Sequence, residues 1–130
     1  MTEVVLDASA VLAFLKREAG AEVVERHLRS GIISAVNVSE IVAKLAEQGM
    51  TENEVGTSLE RLGLSIVPFD EQRAVNAGMI RPSTKPLGLS FGDRACLALA
   101  RELGLPALTA DRRWSGAKVG VDVRFIRAGA

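Results

Sequence analysis

The sequence predicts an α/β fold built on a mainly parallel sheet. Short apolar runs alternate with amphipathic helical stretches along the 130 residues, and glycines or helix-capping residues separate them. A chain of this length is the size of one domain, and it can bury about two-thirds of the surface that its unfolded state exposes. We therefore expect residues 1–130 to form a single domain around one core.

The first half of the chain is predicted to contain three strands and four helices. The apolar runs at residues 4–6, 32–35 and 64–67 are expected to be buried strands. Helical patterns occupy residues 9–17, 21–29 and 38–48, and the last of these ends at Gly49. A capping box from Thr51 to Glu54 begins the fourth helix, and Gly63 ends it.

The second half continues the same alternation of helices and strands. Asp70 is expected to cap a helix that runs to about residue 80, and residues 82–89 are expected to form a loop. Ser90 caps the next helix, which ends at Gly104. Strands are predicted at residues 107–109 and 121–126.

Four acidic residues stand where a predicted strand ends or a predicted helix begins. Asp7 and Asp111 follow strands, whereas Glu40 and Asp93 lie in the first turns of helices. In open α/β sheets, ligands bind beyond the carboxyl ends of the strands, and helix N-termini point to the same place. All four acids are therefore expected at one edge of the sheet.

Four carboxylates in one place require a counter-charge. Two carboxylates ~5 Å apart repel each other by roughly 3 kcal/mol at an effective dielectric constant near 20, and a hard divalent cation removes that cost. Each acid alone also fits a helix cap or a turn: Glu40 follows Asn37 by three residues, and Asp93 follows Ser90 by three. Four independent caps or turns that all converge on one edge of the sheet are less probable than a single cation-binding site.

Two hydroxyl residues strengthen the interpretation as a site. Ser9 follows Asp7 by two residues, and Thr109 precedes Asp111 by two. Either hydroxyl can donate a hydrogen bond to a carboxylate or to a metal-bound water, and so orient a ligand from behind. Asp70 belongs to the same edge but directly precedes a helix, so we interpret it as a cap.

Charge and composition exclude several other functions. Sixteen basic residues balance sixteen acidic ones, so a polyanion has to be held locally. Candidate cations flank the acidic motifs: Arg81, Lys85, Arg94, Arg112 and Arg113. His27 is the only histidine and Cys96 the only cysteine, and neither has the context of a catalytic triad or a zinc site. We expect a cytoplasmic protein without a membrane segment.

The acidic motifs together resemble the PIN-domain family, and more narrowly its VapC-type ribonuclease toxins. The matching segments are DAS at 7–9, NVSE at 37–40, LGLSFGDRACLALA at 87–100 and LTADRRW at 108–114. The segment around Asp93 is the most specific. Phe91 stands where leucine is more usual, which affects packing and leaves the acids unchanged.

The resemblance implies a fold, an activity and partners. It implies a PIN-like three-layer sandwich, and it makes Asp7, Glu40, Asp93 and Asp111 the catalytic, metal-binding acids. The implied cofactor is Mg²⁺, or Mn²⁺, and the implied reaction is hydrolysis of RNA phosphodiester bonds. A homodimer neutralised by a cognate antitoxin is implied as well.

Three alternatives remain open at the level of sequence. A PIN domain can process RNA without being a toxin, or it can serve only as a binding scaffold, although intact acids argue against the scaffold. A receiver-like magnesium-binding signalling module has similar length and fold class. That module requires paired acids after its first strand, whereas Leu6 precedes Asp7 here.

Overall fold

A central sheet of parallel strands organises the protein, which is described here from a computed structural model covering residues 3–128. Within that range the strands are β1 (Val4–Leu6), β2 (Gly31–Ser34), β3 (Ser65–Val67), β4 (Ala107–Thr109) and β5 (Val123–Phe125). They are arranged in the order β3-β2-β1-β4-β5, and every neighbouring pair is parallel. The central strand is β1, in which Val5 pairs with Ile32 of β2 on one side and with Ala107 of β4 on the other.

Helices cover both faces of this sheet. They are α1 (Ala8–Leu15), α2 (Ala21–His27), α3 (Ala35–Glu47), α4 (Glu52–Leu62), α5 (Glu71–Met79), α6 (Arg81–Thr84) and α7 (Phe91–Leu103). Side chains of β1 alternate between the two faces, so Val4 and Leu6 pack with α1 to α4 whereas Val5 packs with α5 and α7. The result is the predicted three-layer sandwich with two apolar layers.

Most of the predicted helix boundaries are confirmed because they depend on local capping chemistry. Thr51 and Glu54 form the reciprocal hydrogen bonds of a capping box. Gly63 and Gly104 end α4 and α7 in the left-handed conformation, at φ 65° in both cases. Asp70 accepts a hydrogen bond from the backbone of Arg73, as expected for a cap of α5.

Two predicted segments were wrong. The third helix starts at Ala35 instead of residue 38, because Ser34 accepts the capping hydrogen bond from the Val36 backbone at 3.2 Å. The segment 82–89 is largely helical: α6 and a 3-10 turn, Lys85–Leu87, occupy most of it. A proline near the start of each turn is compatible with a helix, because the first turn needs no intrahelical N–H donor.

The final strand is also shorter than predicted, since β5 covers Val123–Phe125 only. Within residues 3–128, no helix combines the length and the apolar composition needed to span a membrane.

Candidate active site at the carboxyl edge of the sheet

All four predicted acids line one cleft at the carboxyl edge of the sheet. The cleft has a volume of about 190 Å³. Its lining residues are Asp7, Ala8, Ser9, Leu12, Glu40, Lys44, Asp93 and Asp111. The strand order explains this position, because the chain builds β2 and β3 on one side of β1 and then β4 and β5 on the other. Ligands bind at such a reversal, beyond the neighbouring strands β1 and β4.

Asp7 is the most buried of the four acids, with 3% of its surface exposed. Its backbone N–H donates to Leu108 O at 2.9 Å, which holds the end of β1 against β4. Its carboxylate accepts two hydrogen bonds at Oδ2, from Ser9 Oγ at 2.6 Å and from Thr109 Oγ1 at 2.9 Å. Ser9 and Thr109 therefore orient Asp7 from behind.

The same hydroxyls tie the end of β4 to the start of α1. Ser9 Oγ accepts from the Ala110 backbone at 3.0 Å, and Thr109 Oγ1 accepts from the Asp111 backbone at 3.0 Å. The two hydroxyl oxygens lie 3.2 Å apart. This network places Asp7 and Asp111 on the same side of the cleft.

The environment of Asp7 disfavours its charge. Burial, with repulsion from Asp93 and Glu40, raises the pKa of Asp7 to about 7, although the hydrogen bonds from Ser9 and Thr109 act in the opposite direction. The pKa of Glu40 is also raised, by burial first and by Asp93 second. The cleft thus concentrates negative charge that a bound cation would stabilise.

Glu40 is held in place by a buried amide. Asn37, which is completely buried, donates from Nδ2 to Glu40 Oε1 at 2.8 Å and to Gly92 O at 3.1 Å. Gly92 allows this approach, because a Cβ at position 92 would overlap the Glu40 carboxylate. In the sequence, Asn37 fits a helix cap, and Gly92 gives no sign of this contact. In the structure, both connect α3 to the first turn of α7.

Asp93 combines two roles that the sequence presented as alternatives. Its Oδ2 accepts from the Ser90 backbone at 2.7 Å, and its own backbone donates to Ser90 Oγ at 3.2 Å. This is a capping box at the start of α7. Because α7 begins at the edge of the cleft, the capping carboxylate also lines it.

Asp111 differs from the other acids, because the Arg113 guanidinium donates hydrogen bonds to both of its carboxylate oxygens. Its Oδ1 accepts from Arg113 N and Nε, both at 3.0 Å, and its Oδ2 accepts from Arg113 Nη2 at 2.6 Å and Nε at 3.1 Å. These hydrogen bonds from Arg113 hold the pKa of Asp111 below its usual range. The guanidinium also lies 3.7 Å from Asp93 Oδ2.

The five predicted basic residues do not form one rim. Only Arg113 contacts the acids of the cleft. Arg112 stacks on the Phe125 ring at 3.9 Å, and Arg94 donates to Ala77 O at 3.0 Å, so both make contacts outside the cleft. Arg81 and Lys85 are exposed in and after α6.

Lys44, which the sequence analysis did not name, is a basic residue in the cleft lining. It lies four residues after Glu40 on α3, and residues at that spacing share one face of a helix. That spacing is the signal that could have identified it. His27 does not line the cleft, and Cys96 is fully buried, as expected for a small core residue.

The donor set fits a hydrated hard cation better than a closed protein cage. In residues 3–128, no three His, Cys, Asp or Glu side chains are already arranged as a ready-made metal site. Magnesium usually retains several waters and binds through one or two carboxylates, so it does not require such a cage. Asp7, Glu40 and Asp93 each use one carboxylate oxygen in the hydrogen bonds described above, which leaves the other for a cation or its waters.

Solved structures with the same fold are known. The chain is 19% identical to a chain of DNA-bound VapBC from Salmonella typhimurium, with 98% and 100% of the two chains covered and a TM-score of 0.74. For FitAcB from Neisseria gonorrhoeae the identity is 25%, the coverage 92% and 95%, and the TM-score 0.65. For VapBC-5 of the VapBC family of toxin-antitoxin systems, from Mycobacterium tuberculosis, the values are 18%, 98% and 100%, and 0.59.

A family match covers most of the sequence. No curated protein matches it significantly. The family described as PIN domain matches residues 4–119, a range that includes all four acids and both hydroxyl residues behind Asp7. The chain therefore belongs to the PIN domain family.

Proposed function

We propose that this protein is a metal-dependent endoribonuclease that acts as the toxin of a toxin–antitoxin pair. The toxins of the PIN domain family are generally nucleases, and several structures with this fold are toxin–antitoxin complexes. The observation that carries the proposal is the position of Asp7. Its buried carboxylate is oriented by Ser9 and Thr109 towards a cleft that three further acids line.

We assign different roles to the four acids because their environments differ. Asp7 and Asp93 are rigidly oriented by hydrogen bonds at Oδ2, and we assign them to direct cation binding. Glu40 and Asp111 act directly or through water. A bound Mg²⁺ or Mn²⁺ would supply an activated water and would neutralise charge on the leaving oxygen. The raised pKa of Glu40 suits it to accept a proton at Oε2, because Oε1 accepts the hydrogen bond from Asn37.

Substrate phosphates would be held by a few local cations. Lys44 lines the cleft, and Arg113 lies at its rim, whereas exposed Arg81 and Lys85 are available for more distant phosphates. With a net charge of zero, the chain offers no global attraction for RNA. We expect weak RNA binding without the cation and a modest dependence on salt.

The antitoxin is proposed to bind along α1 into the cleft. A surface hollow of about 450 Å³ is lined by Phe14, Leu15, Arg17, Ala21, Glu22 and Glu25. Leu12, also on α1, lines the cleft itself. Apolar anchors of a partner peptide would fill the hollow, and a partner arginine would reach the acids and compete with the cation.

A homodimer is also proposed, as the family resemblance implies. The apolar residues of α1 pack largely into the core, so they offer little surface to a second copy. Large apolar side chains are exposed elsewhere, and these are Ile66, Val75, Met79, Phe91 and Leu103. Burial of Val75 and Met79 on α5 against a second copy would remove two of these side chains from water, including Met79, the most exposed of the five. Light scattering at micromolar concentration tests this, and a monomer would contradict it.

The proposed function is tested on the purified protein with single-stranded RNA. Cleavage should stop in excess EDTA and return when Mg²⁺ or Mn²⁺ is added beyond the chelator. Undiminished cleavage in EDTA would contradict the metal dependence. Expression of the protein alone should arrest bacterial growth, and co-expression of the cognate antitoxin should relieve the arrest. RNA cleavage without growth arrest would favour the alternative of a processing nuclease.

The strand order argues against the receiver-like alternative. A receiver-like sheet has the order 2-1-3-4-5, with its ligand at the reversal between the first and third strands. The order here is β3-β2-β1-β4-β5, so the reversal lies between β1 and β4. The two folds share a class and not a topology.

A further inference from the structure

The acids of the cleft differ in how many carboxylate oxygens are free. In the described part of the chain, Asp7, Glu40 and Asp93 each engage a single oxygen in hydrogen bonds. Both oxygens of Asp111 accept hydrogen bonds from Arg113. A cation that approaches the cleft therefore meets three acids with an open oxygen and one acid, Asp111, whose two oxygens both accept hydrogen bonds from a guanidinium.

Arg113 is held at this position by several groups. Its guanidinium forms the two-pronged contact with Asp111 that a planar, multi-donor group favours. Nη1 donates to Gly88 O at 2.9 Å, and Nη2 lies 3.7 Å from Asp93 Oδ2. The neighbouring Arg112 has a different environment, because it stacks on Phe125. The pairing is thus specific to position 113.

The pair is accessible enough to be opened. The Arg113 side chain is 55% exposed, against 19% for Asp111. Exposed ion pairs contribute little to stability, because water and salt solvate the separated charges well. A divalent cation that gains Asp111 as a ligand can therefore displace the guanidinium at small cost.

We propose that Arg113 is a positioning residue of the metal site that acts through Asp111. In the metal-free protein, Arg113 neutralises Asp111 and reduces the repulsion among the acids. When the cation binds, Asp111 exchanges the guanidinium for the metal or its waters. Arg113 thereby lowers the affinity of the cleft for the cation. Asp111 is released from Arg113 only in the cation-bound protein. This inference rests on the proposed metal dependence of the cleft.

A double-mutant cycle on cation affinity tests the exchange without any measurement of activity. Isothermal titration with Mn²⁺ compares the wild type, Arg113→Ala, Asp111→Asn and the double variant. Arg113→Ala should tighten Mn²⁺ binding by roughly two- to fivefold, the factor that corresponds to an exposed ion pair. In the Asp111→Asn background the same change should have a clearly smaller effect, because only the 3.7 Å contact between Arg113 and Asp93 remains.

Two variants serve as controls for charge and for folding. Arg112→Ala removes an equal charge one residue away and should leave Mn²⁺ affinity within twofold of the wild type. Arg113→Lys keeps the charge but loses the two-pronged contact, so its affinity should lie between those of wild type and Arg113→Ala. Thermal melts of each metal-free variant establish that it is folded. If Arg113→Ala does not fold, Arg113→Lys takes its place in the double-mutant cycle.

Each result distinguishes the inference from the proposed function. Equal tightening in both backgrounds would mean that Arg113 only repels the cation through space, and this would overturn the exchange. Unchanged or weaker binding by Arg113→Ala would overturn it too, while leaving the metal-dependent function intact. A wild type that binds no Mn²⁺ would contradict the proposed function itself.

Discussion

Gly92, in the first turn of α7, lies against the carboxylate of Glu40 on α3 with no space for a side chain between them. The Gly92 carbonyl accepts a hydrogen bond from Asn37 at 3.1 Å, and the same amide nitrogen donates to Glu40 at 2.8 Å. The position of this acid therefore depends on the packing of one helix against another.

Gly92→Ala should displace the Glu40 carboxylate while the fold is retained. The added methyl group would meet the end of a flexible side chain, so the carboxylate can move instead of the backbone. We expect RNA cleavage to fall at least about tenfold, the lower end of the losses seen when a group that orients a metal ligand is removed. Cleavage assays and thermal melts measure the two effects.

Gly56→Ala is the matched control for that substitution. Gly56 also lies inside a helix, α4, and a Cβ there would meet nothing within 4 Å. This variant should keep full activity and gain up to ~1 kcal/mol of stability, because alanine is the better helix former. If both glycine variants cleave RNA as the wild type does, the position of Glu40 is not important for activity.

The stability of the metal-free protein should fall as pH rises from about 4 to 7. The unfolded pKa of Asp7 is near 3.8 and the folded pKa is about 7, so between these values the folded state holds a proton that the unfolded state releases. The contribution of Asp7 is fully present below the lower value and is lost as pH rises through the upper one. Asp111, whose pKa is lowered, contributes in the opposite sense and only at more acidic pH.

Asp7→Asn should remove much of this pH dependence. Denaturant unfolding in EDTA should give similar free energies for variant and wild type near pH 4, and a variant more stable by on the order of a few kcal/mol near pH 8. At pH 8, Mn²⁺ at a hundred times its wild-type Kd should raise the stability of the wild type by ~2.7 kcal/mol and that of the variant by less, so the difference between them should shrink. Parallel pH profiles for the two proteins would contradict the raised pKa of Asp7.

Thr109→Val should shift the pH dependence of cation binding upwards. The Thr109 hydroxyl donates to Asp7 Oδ2 at 2.9 Å, and this bond lowers the pKa of Asp7. Valine preserves the shape and removes the donor, so Asp7 should stay protonated to a higher pH. The midpoint of Mn²⁺ affinity against pH should therefore rise. Ser83→Ala, which removes a hydroxyl that donates to Ile80 O outside the cleft, should leave the midpoint unchanged. A wild-type midpoint in Thr109→Val would exclude the role of this hydrogen bond.

The features that sequence predicted best are those set by nearby residues. Ser90 and Gly104 mark the ends of α7 because capping depends on a few adjacent backbone groups. The acids Asp7 and Asp111 could be placed at one edge because they follow parallel strands. The helical character of α6 and of the 3-10 turn after it was missed because proline is common in loops, although Pro82 and Pro86 each stand in the first turn of a helical segment.

The contacts that orient the acids could not be read from the sequence. The bond from Asn37 to Gly92 spans 55 residues and depends on how α3 packs against α7. The pairing of Arg113 with Asp111 is local, but a flexible side chain on an exposed turn has other partners available, including water. Only the folded geometry distinguishes Arg113 from Arg112, which stacks on Phe125.

The most direct test of the account is RNA cleavage by Asp93→Asn in the presence of Mn²⁺. Asparagine can still accept the hydrogen bond from the Ser90 backbone, so the cap of α7 is retained while the charge in the cleft is lost. Asp70→Asn makes the same change at an exposed helix cap outside the cleft and serves as the control. The account predicts at least a roughly 100-fold loss for Asp93→Asn and wild-type cleavage for Asp70→Asn. Cleavage by a folded Asp93→Asn variant at the wild-type rate would contradict it.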